Sequence, residues 1–160
     1  MVYQLNGMAM TIMQRLKKFV LLAIACVSIV SLNWSMPALA GNSSAITEVK
    51  VSLGNAAGEL KFFPNEFKFI AGKPYKLLLD NPSPQKHYFT AKDFADASWT
   101  RKVDAGNVEI KGAIHELELR PQSEAQWVFV PLRSGTYPLR CTIPGHTEAG
   151  MMGTIQIVEP

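Results

Sequence analysis

Three side chains near the C-terminal end of the chain combine ligand types that one metal ion can use together. Cys141, His146 and Met151 lie five residues apart, so a thiol, an imidazole and a thioether recur at an even spacing. A mononuclear blue-copper centre uses one cysteine thiolate and two histidines in a trigonal arrangement, with a distant axial methionine. The residue types and their spacing therefore predict a copper site in the last part of the chain.

The cysteine count supports a metal ligand at Cys141. The chain has two cysteines, and Cys26 lies in an N-terminal segment that we expect to be removed, which leaves Cys141 alone. An odd cysteine in an exported protein indicates an intermolecular disulfide, a reactive thiol or a metal ligand. A lone cysteine is also commonly a small, buried apolar residue. Here the neighbouring histidine and methionine favour the metal ligand.

The first forty residues have the order of a secretory signal peptide. Three basic residues precede an apolar run over 19–32, and an Ala-Leu-Ala sequence ends the segment at residue 40. This order predicts cleavage before Gly41 and export to a bacterial periplasm or a thylakoid lumen. The run is 14 residues long, against the ~20 that span a bilayer, so no permanent membrane span is expected after cleavage. Lipid attachment at Cys26 and a start codon downstream of Met1 remain alternatives.

The charge balance argues against nucleic acid as a partner. Of the 16 Lys and Arg, three lie within residues 1–40, which contain no acid, so 13 remain in residues 41–160 against all 13 Asp and Glu. A formally neutral composition gives no indication of the basic face that phosphate contacts need, so we expect no nucleic-acid partner. With 48% hydrophobic residues, the chain can build one core, and we expect residues 41–160 to form one monomeric domain.

The segment Cys-Thr-Ile-Pro-Gly-His-Thr-Glu-Ala-Gly-Met over 141–151 resembles the ligand loop of the cupredoxins, the family of small blue-copper proteins. Its Cys-x4-His-x4-Met spacing is similar to that of rusticyanin-like and auracyanin-like members, whereas plastocyanin has a shorter Cys-x2-His. The resemblance extends from Phe62-Phe63-Pro64 to the last predicted strand. It implies one type 1 copper ion, alternating between Cu(I) and Cu(II), in a carrier of single electrons. The implied partner is a redox protein such as a c-type cytochrome or a membrane oxidoreductase.

A blue-copper site needs a second histidine, and the sequence offers His87 and His115. His87 follows an apolar strand and a Pro-rich turn, a place comparable to that of the first histidine in the family. His115 lies in an alternating stretch, on the same face as two leucines, where packing or a sheet edge is the commoner role. Met152 is the alternative axial ligand. The predicted ligands are His87, Cys141, His146 and Met151.

Short runs of alternating apolar and polar residues, separated by Gly, Pro or Asn, predict an all-β fold. We expect nine strands, over Thr47–Leu53, Glu59–Phe63, Glu66–Ile70, Tyr75–Leu79, His87–Thr90, Ile114–Leu119, Ala125–Pro131, Thr136–Cys141 and Thr154–Val158. An antiparallel Greek-key β-sandwich or barrel follows, as the resemblance also implies. Residues 91–112 are expected to be a less regular insertion, and Trp99 and Trp127 to pack in the core.

One position departs from the family pattern. Plastocyanin-like and azurin-like members usually have Asn directly after the first histidine, where its side chain steadies the residue that follows the cysteine ligand. This chain has Tyr88 there, although Thr142 still follows Cys141. The bracing of the ligand loop therefore needs another source.

Two other functions compete with electron transfer. Copper nitrite reductases and multicopper oxidases contain related domains, but they need more copper ligands than three histidines supply. A CuA centre would need a second cysteine in the loop. Copper delivery or storage uses open sites that release the metal, whereas this sequence offers a single closed set of ligands.

Overall fold

The computed structural model of the protein describes residues 45–160. The predicted signal segment and its cleavage site before Gly41 lie outside the described residues. Within 45–160 the chain forms eleven strands and one short helix. They are β1 Thr47–Leu53, β2 Phe62–Phe63, β3 Glu66–Ile70, β4 Tyr75–Asp80, β5 His87–Thr90, α1 Lys92–Asp96, β6 Ser98–Ala105, β7 Val108–Ile110, β8 Glu116–Leu119, β9 Glu124–Pro131, β10 Gly135–Arg140 and β11 Met152–Val158. No helix in this part of the chain is long and apolar enough to cross a bilayer.

The strands form two sheets, which confirms the predicted β-sandwich. The first sheet has the order β2-β1-β4-β9-β6-β7 and the second the order β3-β11-β10-β5-β8. Both sheets are mixed rather than wholly antiparallel, because β1 pairs with β4 and β3 with β11 in parallel. A parallel pair needs a long crossover, and the chain between β1 and β4 supplies one by adding β3 to the second sheet.

Residues 91–112 are more regular than we expected from the sequence. They contain α1, β6 and β7, and β6 pairs with β9 inside the first sheet. The register of this pair shifts between Thr100 and Lys102. Such a bulge moves the alternation of apolar and polar side chains by one position, which hides a strand from a search for period-two patterns. Trp99 corrects a second expectation, since its side chain is 58% exposed, whereas Trp127 is buried as predicted.

Aromatic side chains fill the space between the sheets. Phe94 of α1 contacts Trp127 and Phe129 edge-on, at ring-centroid distances of 5.6 and 5.2 Å. Phe69 of β3 lies 5.3 Å from Phe129 in the same geometry. Edge-to-face pairs of this kind add to the stabilisation from buried area. This core holds β9 of the first sheet against the second sheet, whose strands β5, β10 and β11 carry or border the predicted ligands.

Candidate metal centre

The two strands that lead to His87 and Cys141 are neighbours in the second sheet. β5 begins at His87, β10 ends one residue before Cys141, and the two strands pair through Thr90 and Arg140. The backbone N–H of Tyr88 donates a hydrogen bond to Cys141 Sγ at 3.4 Å. The neighbouring positions of β5 and β10, together with this hydrogen bond to sulfur, bring together a histidine and a cysteine that are 54 residues apart in the sequence.

Hydrogen bonds close the loop between β10 and β11 on itself. The N–H of Cys141 donates to the carbonyl of Met151 at 3.0 Å, and the N–H of Met151 donates to the carbonyl of His146 at 2.9 Å. The hydroxyl of Thr147 donates to the carbonyl of Cys141 at 2.7 Å. These bonds place the backbones of all three predicted loop ligands side by side.

The predicted histidine and cysteine ligands converge. One ligand atom from each of His87, Cys141 and His146 lies within 4.8 Å of the other two. Cys141 Sγ is 3.5 Å from His146 Nδ1, and the two imidazole centroids are 5.2 Å apart. Ligands that surround one ion at bond lengths of 2.0–2.3 Å are roughly 3.5–4 Å from one another. All three residues are buried, so the arrangement has the spacing and seclusion of a mononuclear metal site.

The environment of His87 supports a metal between these side chains. The ring is fully buried, and neither Nδ1 nor Nε2 has a hydrogen-bond partner among the described residues. Buried polar atoms without a partner are rare in folded proteins. Burial lowers the pKa of His87 below its usual 6.5, and the neighbouring His146 lowers it further. Both effects favour the neutral form of the ring, which is the form that coordinates a metal.

The other candidate ligands, two methionines and one histidine, differ in how exposed their side chains are. Met151 is fully buried, whereas the side chain of Met152 is 51% exposed, which favours Met151 as the axial ligand. His115 lies outside the converging group: its side chain is 45% exposed and its Nε2 is 2.7 Å from Asp96 Oδ1. The alternatives of His115 and Met152 as ligands thus have no support in the geometry.

Solved structures resemble this fold. A dithionite-reduced auracyanin from the photosynthetic bacterium Roseiflexus castenholzii aligns over 71% of this chain and 98% of that chain, with a TM-score of 0.50 and 19% identity. The chain has a cupredoxin fold. Auracyanin B aligns over 70% of this chain and 88% of that chain, with a TM-score of 0.49 and 22% identity. A multicopper oxidase aligns over 70% of this chain and 44% of that chain, with a TM-score of 0.53 and 10% identity. No protein-family model and no curated protein matches the sequence.

The ligand set of this cupredoxin fold is suited to one copper ion. Two imidazoles, one thiol and one thioether are the donors of a type 1 site, and a soft sulfur pair with two nitrogens matches copper better than it matches hard cations. His87, Cys141, His146 and Met151 are the residues that supply these donors. Cys141, His146 and Met151 lie in the loop between β10 and β11, whereas His87 lies at the start of β5.

A residue that the sequence analysis missed lies against His87. Gly54 follows β1 with φ +77°, and a Cβ added there would lie 3.1 Å from His87 Nε2 and 3.0 Å from Ser83 Cβ. A side chain at this position would thus be both strained and crowded. In the sequence, the only sign of this contact is a glycine directly after a predicted strand. A glycine at that place is equally typical of an ordinary turn.

Strand β8 of the second sheet supplies the bracing of the ligand loop that Asn usually provides at the position of Tyr88. Its hydroxyl donates to Glu118 on β8, and Thr142, which follows Cys141, donates its hydroxyl to Glu116 on the same strand at 2.7 Å. Both residues next to the ligands are therefore held by β8 rather than by one another.

Proposed function

We propose that the protein carries single electrons through one type 1 copper ion bound by His87, Cys141, His146 and Met151. The observation that carries this proposal is the convergence of two imidazoles and one thiol, all buried, within 4.8 Å. Copper, when bound, supplies the one-electron couple between Cu(I) and Cu(II). The likeness of the fold to a dithionite-reduced auracyanin, at a TM-score of 0.50, supports this function.

The protein would contribute a site that changes little between oxidation states. The Tyr88 N–H donates to the sulfur of Cys141, and hydrogen bonds to a ligating sulfur stabilise it and tune the metal. The backbone hydrogen bonds among Cys141, His146 and Met151 hold the loop. Such preorganisation lowers the rearrangement that accompanies each electron.

Copper delivery and storage are less well supported. The three converging side chains are buried, so copper would leave only through an opening of the loop. An enzyme of the nitrite reductase or multicopper oxidase type is also disfavoured. Within residues 45–160 the His, Cys and acidic side chains form a single potential metal group, and the sequence has only three histidines.

We further propose that residues 1–40 are a cleaved signal peptide and that residues 41–160 act as a monomer in a periplasm or thylakoid lumen. The basic start, the apolar run and the small residues before Gly41 support this. A redox protein such as a c-type cytochrome is the proposed partner. Expression in a bacterium with a periplasm, followed by mass spectrometry, should yield a chain that begins at Gly41; an intact N-terminus or a lipid on Cys26 would contradict the proposal.

Loading the purified protein with Cu(II) tests the function. We expect an intense thiolate-to-copper band in the visible spectrum that disappears on reduction and is absent in Cys141→Ser, because only a thiolate ligand produces it. A band that survives in Cys141→Ser would refute the site. Rapid electron exchange with a cytochrome and slow copper loss to a chelator support a carrier, whereas the reverse pattern supports delivery.

A further inference from the structure

The junction between the two ligand strands is weakly paired. β10 pairs with β11 over its whole length, from Gly135 to Arg140, and β5 pairs with β8 from His87 to Thr90. Between β5 and β10 the only register pair is Thr90 with Arg140. Sheet hydrogen bonds therefore do little to fix the distance between His87 and Cys141, and other contacts must do so.

One carboxylate spans this junction. Glu116 lies on β8 directly opposite Thr90. Its Oε2 accepts a hydrogen bond from the hydroxyl of Thr90 at 2.7 Å and another from the hydroxyl of Thr142 at 2.7 Å. The two hydroxyl oxygens are 3.4 Å apart. A single oxygen atom of β8 thus ties β5 to the residue directly after Cys141.

Glu118, two residues after Glu116 on β8, holds Tyr88 at the His87 end of β5. Side chains two residues apart on a strand share a face, and Glu118 accepts a hydrogen bond from the hydroxyl of Tyr88. Lys86 Nζ is 3.3 Å from the same carboxylate and 5.4 Å from the centre of the Tyr88 ring. Since Tyr88 also donates its N–H to Cys141 Sγ, anchoring Tyr88 steadies that donor.

We propose that Glu116 is a positioning residue of the copper centre, tying Thr142 to Thr90 and thereby holding Cys141 at a fixed distance from His87. The inference rests on the proposed function for the role of copper, but the tie itself consists of hydrogen bonds from Thr90 and Thr142 to Glu116. Hydrogen bonds to a carboxylate are shorter and stronger than those between neutral groups. Two of them converge here, on a residue that touches no ligand side chain.

The test compares Glu116→Ala and Glu116→Gln with Glu48→Ala as a matched control. Glu48 is also a strand glutamate with an exposed side chain, and it bonds Lys76 Nζ at 2.7 Å in the first sheet. In the metal-free protein, hydrogen exchange at the amide of Cys141 should become about fivefold faster in Glu116→Ala. Glu116→Gln, which keeps an acceptor without the charge, should be intermediate, and Glu48→Ala unchanged.

Copper loading supplies a second measurement. Loss of copper to a chelator should be about tenfold faster in Glu116→Ala, as expected when a group that orients a ligand is removed, and the thiolate-to-copper band should shift. Thr142→Val, which removes the donor at nearly constant volume, should reproduce both effects. In the double variant Glu116→Ala with Thr142→Val the effects should not add, because the two residues share one interaction.

Three outcomes would overturn the proposal. If the rates of Cys141 amide exchange and of copper loss in Glu116→Ala stay within twofold of those of the unmodified protein, Glu116 does not position Cys141. Faster exchange spread equally over β1 and β4, with no recovery in Glu116→Gln, would show a general loss of stability. Additive effects in the double variant would show that Thr142 acts separately. If the unmodified protein binds no copper, the proposed function fails, while the exchange experiment still decides whether Glu116 positions Cys141.

Discussion

At the scale of single residues, the proposed ligand His87 differs from His115 in what its ring nitrogens contact. His87 is buried with both nitrogens unpartnered among the described residues, whereas His115 is half-exposed and bonded to Asp96. We expect His87→Ala to abolish the thiolate-to-copper band and His115→Ala to leave it unchanged. Titration of each variant with Cu(II), followed by visible absorption, measures this. The opposite result would make His115 the ligand.

A substitution at Gly54 should affect the copper site by contact with His87, in addition to its effect on the backbone conformation. Gly54 and Gly72 have φ of +77° and +78°, but a Cβ on Gly72 would meet nothing within 4 Å. Alanine at either position should cost about 1–2 kcal/mol of stability through the left-handed backbone. Gly54→Ala should cost more than Gly72→Ala, because its methyl group would also crowd Ser83. Only Gly54→Ala should also weaken copper binding, because its methyl group would press on His87 Nε2.

Urea unfolding and Cu(II) titration of these two variants separate the effects. We expect both variants to lose stability, Gly54→Ala more than Gly72→Ala, and only Gly54→Ala to bind copper more weakly. Equal copper affinities would mean that the His87 ring moves away from the methyl group without consequence.

The convergence of the proposed ligands was easier to predict from the sequence than the residues that hold them in place. Cys141, His146 and Met151 lie in one loop, so their spacing in the sequence already describes their spacing in space. Glu116 and Thr142 are 26 residues apart, and their contact depends on which strands become neighbours. No local pattern contains that information, so only the fold identifies Glu116 as a neighbour of the ligand loop.

At the scale of elements, α1 shows how a segment that looks irregular can be central to the core. Phe94 is fully buried and packs edge-on against Trp127 and Phe129. Phe94→Ala should lower the free energy of unfolding by about 3–5 kcal/mol, from the lost burial and the cavity left behind. Trp99→Ala, in the following strand β6 and with an exposed side chain, should change the free energy of unfolding by no more than about 0.5 kcal/mol.

Chemical unfolding followed by circular dichroism measures both values. A large loss in Trp99→Ala would indicate that this side chain is covered in solution, for instance by another copy of the chain. The strands of this protein were predicted well where apolar and polar side chains alternate, as in β1 and β3. They were missed in β6, where the bulge breaks the alternation, and strand partners were not predictable, because pairing depends on the whole fold.

At the scale of the whole molecule, the balance of charge bears on how a redox partner would dock. Residues 41–160 hold 13 basic and 13 acidic residues, so no strong net field steers association. His146 is almost buried, and the loop around it presents the uncharged residues Pro144, Gly145 and Ala149, with Glu148 as its exposed acid. We infer that docking at this end uses mainly apolar contact.

The rate of electron exchange with a c-type cytochrome should therefore depend weakly on salt, changing less than about threefold between about 10 and about 200 mM. Glu148→Lys and Glu48→Lys alter the net charge equally, but only the first places the new charge in the ligand loop. We expect Glu148→Lys to make the rate salt-dependent, because screening acts on charges close to the contact, and Glu48→Lys to leave it nearly unchanged. Stopped-flow kinetics over a salt series measures both slopes. Equal slopes in the two variants would place the docking site away from His146.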